Sequence, residues 1–207
     1  MKMFQTEQEH FWATDFGNEY VARNKGANII ASNLALFSKI LAHTRTVGSI
    51  IEFGANIGLN LIALNQLLPK AHLAAVEINQ TAVVELQQNL PQVQLYHQSI
   101  LNFIPEQLFD LVLIKGVLIH INPDKLPQVY DILYQSSQRY ICISEYYNPS
   151  PVTIPYRGHT DRLFKRDFAG EMLDRYADLQ LIDYGFNYHR DLHFPQDDTT
   201  WFLLEKQ

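Results

Sequence analysis

The sequence predicts an α/β fold: a doubly wound, mostly parallel, seven-stranded sheet with helices on both faces, an antiparallel hairpin at its C-terminal end and helices ahead of it. Three observations predict it. From residue 48 onward, strand-like and helix-like runs alternate, and a parallel sheet needs such alternation because each parallel pair requires a crossover connection. A glycine-punctuated turn, Glu52-Phe53-Gly54-Ala55-Asn56-Ile57-Gly58-Leu59-Asn60, joins the first strand of the series to its first helix. After about residue 146 the alternation stops, and two strand-like runs follow a single helix with only a polar segment between them.

Taken in order, residues 5–45 read as two helical stretches separated by a turn around Gly17-Asn18. Ala31 to Ala42 places Leu34, Phe37, Ile40 and Leu41 at helical spacing. The first strand is expected at about 48–53 and its helix at about 58–68, stopped by Pro69. A second strand follows at about 72–78 and a helix at about 79–89, ending before Pro91. The third strand is expected at about 93–97, and the fourth is the apolar run Phe109-Asp110-Leu111-Val112-Leu113-Ile114. Pro123 suits the first turn of the next helix, and the fifth strand is expected at about 139–144. Residues 146–164, rich in Pro, Tyr, Gly and Arg, read as an inserted lid, followed by a helix at about 166–176. The closing strands are expected at about 179–189 and 199–205. All 207 residues thus form a single domain, with residues 1–45 as a helical cap and 146–166 as the substrate lid.

Composition narrows the function. Hydrophobic residues make up 47% and charged residues 18%, ordinary for a globular chain. A net charge of −6 argues against nucleic acid as a partner, since that needs a basic stripe. No run reaches the ~18 apolar residues of a membrane span. Met1 to His10 is polar and has no apolar signal-peptide core. The single cysteine, Cys142, lies in an apolar strand and fits a reducing, cytoplasmic location. The oligomeric state is not legible.

The glycine turn carries most of the functional information. Gly54 and Gly58 let the backbone turn tightly and approach a ligand, and the helix that follows presents free N–H groups. A dinucleotide fingerprint, G-x-G-x-x-G, would need glycine where Asn56 and Leu59 stand. The pattern is instead E-x-G-x-x-x-G, with Glu52 on the strand. It resembles motif I of the class I S-adenosylmethionine (SAM) methyltransferases. That resemblance implies SAM as cofactor, Glu52 near the methionine ammonium, and Gly54, Asn56 and Gly58 around the cofactor. Glu77, ending the second strand with Ile78 after it, suits a bidentate hydrogen bond to ribose hydroxyls, a device that NAD enzymes share. Ser99 and Ile100 stand where many relatives place an aspartate and contact adenine. Lys115 and Gly116 line the cofactor's edge. Metal binding is not expected; the cluster His189-Arg190-Asp191 with His193 and Asp197-Asp198 matches no metal spacing and reads as surface hairpin.

Methyl transfer needs an acceptor atom in line with the methyl group and, for a hydroxyl or ammonium acceptor, a base. Ligands of an open parallel sheet sit at the carboxyl ends of its strands. His120, after the fourth strand, is therefore either a general base or a histidine bracing its loop. Glu145, at the end of the fifth strand, is a base, an orienting group or a capping carboxylate. Tyr146 and Tyr147 line the substrate or pack at the rim. In the N-terminal segment, Arg23 can pair with the methionine carboxylate, while Tyr20 and Trp12 either close the pocket or pack on the sheet. From 157 to 166 the chain carries Arg157, Arg162, Lys165 and Arg166 against Asp161, a local +3. Arginine forks suit carboxylates and phosphates. Together with Tyr156 and His159 this stretch reads either as the recognition loop for a small anionic acceptor or as a solvated loop and helix start.

The strings Phe16-Gly17-Asn18-Glu19-Tyr20, Glu52 to Asn60, Gly116 to Asn122, Glu145 to Pro149, Tyr156 to Gly170, Asp183 to Phe186 and Asp197 to Phe202 resemble the pseudaminic acid biosynthesis-associated methylases. The resemblance runs from about residue 9 to the C-terminus. It implies a cytoplasmic enzyme acting on a hydroxyl or amino group of a nine-carbon acidic sugar or its nucleotide-activated form. Two other readings stay open: a protein-directed methyltransferase using the lid as a peptide groove, and a SAM-binding module without catalysis.

Overall fold

A computed structural model describes residues 4–207; Met1 to Met3, the first residues of the polar start, lie outside the described residues. Three helices come first: α1 (Glu7–Ala13), α2 (Asp15–Arg23) and α3 (Ala27–Leu41). The alternating series follows: β1 (Ser49–Phe53), α4 (Leu59–Leu67), β2 (His72–Glu77), α5 (Gln80–Asn89), β3 (Gln94–His97), β4 (Phe109–Lys115), α6 (Leu126–Ser136) and β5 (Ser137–Glu145). The inserted segment forms a small hairpin, β6 (Val152–Thr153) and β7 (Phe164–Lys165). The chain closes with α7 (Phe168–Arg175), β8 (Leu179–Phe186) and β9 (Thr200–Lys206).

The main sheet has seven strands in the order β3-β2-β1-β4-β5-β9-β8. The first five are parallel, and β9 runs antiparallel between β5 and β8. Alternation of side chains across the strands divides the core in two. On one face Ile50, Leu111, Leu113, Tyr140, Cys142 and Leu203 pack against Phe37 and Ile40 of α3 and Leu61 and Leu64 of α4. On the other, Ile51, Phe53, Val112, Ile114, Ile141 and Ile143 meet Val129 and Leu133 of α6 and Phe168 and Met172 of α7. Cys142 is buried in the first of these cores, and burial pushes its thiol up to about 12. Because β9 pairs Thr200 with Glu145 and β8 pairs Phe186 with Thr200, the loop 187–199 rises from the same sheet edge as the carboxyl ends of the parallel strands.

One expectation is corrected. The Gly17-Asn18 pair is not a turn; it lies inside α2, and the chain breaks instead at Thr14 and at Asn24 to Gly26. Gly17 serves close approach: a Cβ there would sit 1.9 Å from the Trp12 carbonyl oxygen and 2.7 Å from Asn79 Nδ2. Thr6 caps α1 through Glu9 in a reciprocal box, so the first turn is fixed locally.

Candidate active site

A cavity of about 670 Å³ opens along the carboxyl edge of the parallel strands. The glycine turn forms its floor. Gly54 (φ +74) and Gly58 (φ +84) are left-handed, and Asn56 shares that region at φ 50. A Cβ on Gly54 would meet Val117 Cγ2 at 2.5 Å, so glycine is required there both by conformation and by space. Gly54 and Asn56 line the cavity; Gly58 lies behind it, against Leu86, as the residue before α4.

Glu77 and Ile78 line the same cavity. Glu77 accepts the backbone N–H of Asn56 at 2.8 Å and that of Asn79 at 2.8 Å, so the carboxylate ties the glycine turn to the end of β2. Burial pushes its pKa up, and these backbone bonds oppose the rise. Asn79 then caps α5 through Ala82 N–H and donates to the Trp12 carbonyl and to Asn18. The helical cap is thereby docked on the loop that carries Glu77. Ser99 and Ile100 complete this end of the cavity with Gln98 and Leu101.

Glu52 is fully buried beneath the floor. Its Oε1 accepts from Asn60 Nδ2, while Oε2 has no partner among the described residues. Burial pushes its pKa up to about 8, against the pull of Asn60 and of the Lys115 charge. Lys115 continues the β4 alternation of Leu111 and Leu113, on the face covered by α3. Lys115 and Gly116 line the cavity, and burial lowers the lysine's pKa, with Glu52 the leading opposing charge.

The loop after β4 is held from β5. Glu145 Oε1 accepts the N–H groups of Val117 and Leu118, each at 2.9 Å, while Oε2 is unpartnered; burial raises its pKa to about 7. Glu145 stands behind the loop and is not among the lining residues. His120 does line the cavity. Its Nδ1 lies 2.5 Å from the Arg162 carbonyl oxygen, which only accepts, so Nδ1 carries the proton and Nε2 keeps its lone pair. Burial lowers its pKa to about 4, so the ring is neutral at pH 7. Trp12 and Tyr156 rings flank it at 4.6 and 5.1 Å.

The basic segment divides. Arg157 lines the cavity beside Tyr156, with no acidic partner among the described residues. Arg162 pairs with Glu7 and Asp161, Arg166 with Glu171, and neither lines the cavity. Lys165 sits over the Tyr146 ring at 4.8 Å. His159 closes the turn with Tyr156 and stacks edge-on to Phe11, outside the lining. Tyr20, Trp12 and Tyr146 are lining residues, whereas the exposed Tyr147 is not. Arg23 is not a lining residue either: helical spacing sets it 3.6 Å from Glu19, and it lies over the Phe16 ring.

Several lining residues were not singled out from sequence. Among the described residues, Asn33 and Gln8 are buried with an unpartnered side-chain oxygen each, and Gln196 Oε1 is likewise without a partner, as is Nε1 of Trp12, already named from sequence. His189 and Asp197, expected as surface hairpin, instead reach the cavity with Gln196 and Thr199 from the 187–199 loop, which contiguity in sequence alone does not place there.

Residues 50–137 match the family model of a methyltransferase domain. No curated protein gives a match. Among solved structures, the magnesium protoporphyrin IX methyltransferase of Synechocystis PCC 6803 with bound SAM is similar over 100% of both chains, at 13% identity and a TM-score of 0.66. A SAM-dependent methyltransferase from Clostridium acetobutylicum ATCC 824 covers 92% of this chain and 97% of its own, at 12% identity and 0.64. An amino pentose methyltransferase from Micromonospora echinaspora covers 93% and 96%, at 11% identity and 0.65. At such identities the likeness is one of fold. The sheet order is that of the class I methyltransferase fold, and residues 50–137 match a methyltransferase domain.

Proposed function

We propose that this protein methylates a hydroxyl or amino group of a small anionic acceptor, an acidic sugar of the pseudaminic type or a close chemical relative. Arg157 carries the reading: it is the cation of the basic segment that lines the cavity without an acidic partner. A guanidinium so placed suits a carboxylate or phosphate on the acceptor.

The residues present fit SAM. Gly54, packed against Val117, and Asn56 carry the turn along the cavity wall, where a cofactor can approach it. Glu77 is aligned to receive ribose hydroxyls in addition to its backbone donors, and the orphaned Glu52 Oε2 suits an ammonium donor, directly or through water. Ile78, Ser99, Ile100 and Leu101 offer a largely apolar slot for adenine. When bound, SAM supplies a methyl group already activated on a sulfonium. The chain's own task is then to orient the acceptor and manage its proton. Tyr20, Tyr146 and Tyr156 wall the acceptor side, and His120 offers the Nε2 lone pair as a neutral hydrogen-bond acceptor.

The experiment is incubation with methyl-labelled SAM and an extract of a pseudaminate-making bacterium, followed by separation of small anions from macromolecules. Label in an anionic sugar fraction supports the reading. Label in polypeptide favours a protein-directed enzyme.

A further inference from the structure

We propose that His189, held by Asp198 on the loop between β8 and β9, is the base that takes the acceptor's proton. The proposal rests on the methyl-transfer reading above and adds to it a catalytic residue outside the two candidates, His120 and Glu145.

The geometry is that of an oriented base. His189 Nδ1 lies 2.8 Å from each Asp198 carboxylate oxygen, and the His189 backbone N–H donates to Asp198 Oδ1 at 2.9 Å. A carboxylate only accepts, so the ring proton sits on Nδ1 and Nε2 is left with its lone pair. The backbone N–H and the ring hold the Asp198 carboxyl below its ordinary value, which keeps the partner charged. His189 itself lines the cavity, as do Asp197, Tyr146 and Arg157.

The loop is anchored at both ends. Asn187 N–H donates to the Thr199 carbonyl at 2.8 Å, and Asn187 Nδ2 donates to Thr199 Oγ1 at 2.9 Å. Gln196 Nε2 donates to the Ser32 carbonyl of α3 at 2.8 Å. Asp191 Oδ1 accepts from His193 and Phe194 N–H, fixing the turn between them. A base must be held in place to be effective, and this one is tied to β9, to α3 and to its own carboxylate.

The comparison with His120 decides between the two rings. Both have Nδ1 engaged, and neither Nε2 has a hydrogen-bond partner among the described residues. His120 is buried and its Nδ1 faces a neutral carbonyl, so an imidazolium formed there has no counter-charge. An imidazolium on His189 faces the Asp198 carboxylate, and the side chain is 56% exposed, so its proton can pass to water after each turnover. His120 then orients the acceptor by accepting a hydrogen bond, and His189 removes the proton. In the step, His189 Nε2 takes the hydroxyl proton as the acceptor oxygen bonds to the methyl carbon; the carbon–sulfur bond breaks with its electron pair retained on sulfur, leaving a neutral thioether. The imidazolium paired with Asp198 releases its proton to solvent.

The test combines ¹⁵N NMR of the histidine rings in protein saturated with S-adenosylhomocysteine and labelled-SAM kinetics of His189→Ala, His189→Gln and Asp198→Asn. The spectrum is expected to show His189 protonated on Nδ1 alone, with that preference weakened in Asp198→Asn. For the anionic fraction that accepts label, kcat is expected to fall about 10²–10⁴-fold in His189→Gln, with SAM affinity within about twofold of wild type because the proposed role is in proton transfer and not in cofactor binding. Added imidazole should restore turnover to His189→Ala, which loss of a merely structural contact would not allow. A wild-type ring protonated on Nε2, or a His189→Gln kcat within about threefold of wild type, would overturn the proposal. If wild-type protein labels no anionic fraction, the acceptor assignment fails, and the ring spectrum still decides whether the dyad exists.

Discussion

Replacing Glu77 by alanine should separate the two duties of that carboxylate. In the free protein it accepts N–H groups from Asn56 and Asn79, each at 2.8 Å, at a nearly buried position. Leaving a buried donor unsatisfied costs about 1–3 kcal/mol, so two donors put the stability loss at about 2–6 kcal/mol. Binding adds a second loss. Hydrogen bonds to a charged group contribute about 1.5–3 kcal/mol each, so two ribose hydroxyls losing that acceptor weaken SAM by about 3–6 kcal/mol. At 1.4 kcal/mol per tenfold, the dissociation constant rises at least about 100-fold. Calorimetric titration with SAM at a temperature where the variant is folded, paired with urea unfolding, reads the two quantities separately. Glu77→Gln, which keeps one acceptor oxygen, should fall between wild type and alanine in both. A folded Glu77→Ala protein binding SAM within about threefold of wild type would refute the reasoning.

Other consequences are as direct. Gly17→Ala puts a methyl against the Trp12 carbonyl, a backbone atom that cannot step aside cheaply. Overpacking of this kind costs about 1–3 kcal/mol or more, and hydrogen exchange should quicken across α1 and α2 while β1 to β5 stay protected; uniform protection would contradict this. Arg157→Ala should impair acceptor turnover through KM while SAM affinity is kept, and equal loss of both would end that division of labour. Glu52 carries a folded-state pKa of about 8, raised by burial from an ordinary 4.5. The folded state therefore binds its proton more tightly, and the associated stability is present below about pH 4.5 and lost as pH rises towards 8. Glu52→Gln should accordingly gain on wild type between those pH values, at up to about 1.4 kcal/mol per pH unit inside the window; a pH-independent difference in urea midpoint would contradict it.

The architecture was legible because its signals are local. Alternating runs gave the parallel strands, and the E-x-G-x-x-x-G turn gave the place where the ligand loop leaves β1. What was not legible depends on neighbours distant in sequence. Gly17-Asn18 carries the composition of a turn, but only the folded chain shows the Trp12 carbonyl pressed against Gly17. Arg157, Arg162 and Arg166 look alike in a charge count. Glu7, 155 residues away from Arg162, and Glu171 beside Arg166 occupy two of them and leave Arg157 to the cavity. His189 and Asp198 sat in a polar string that reads as surface. The antiparallel return of β9 alongside β5 is what brings their loop to the cavity rim. The amide pair Asn33 and Gln196 is similar, since one lies on α3 and the other on that loop.

The central claim is that the cavity methylates a small anionic acceptor. It is tested most directly by supplying methyl-labelled SAM and CMP-activated nine-carbon acidic sugars to the pure protein and resolving the products by anion exchange and mass spectrometry. The account predicts label on the sugar, strongly reduced at low SAM concentration by Glu77→Ala and reduced at low acceptor concentration by Arg157→Ala. Label confined to polypeptide would contradict it, as would label on neutral molecules at rates unaffected by Arg157→Ala.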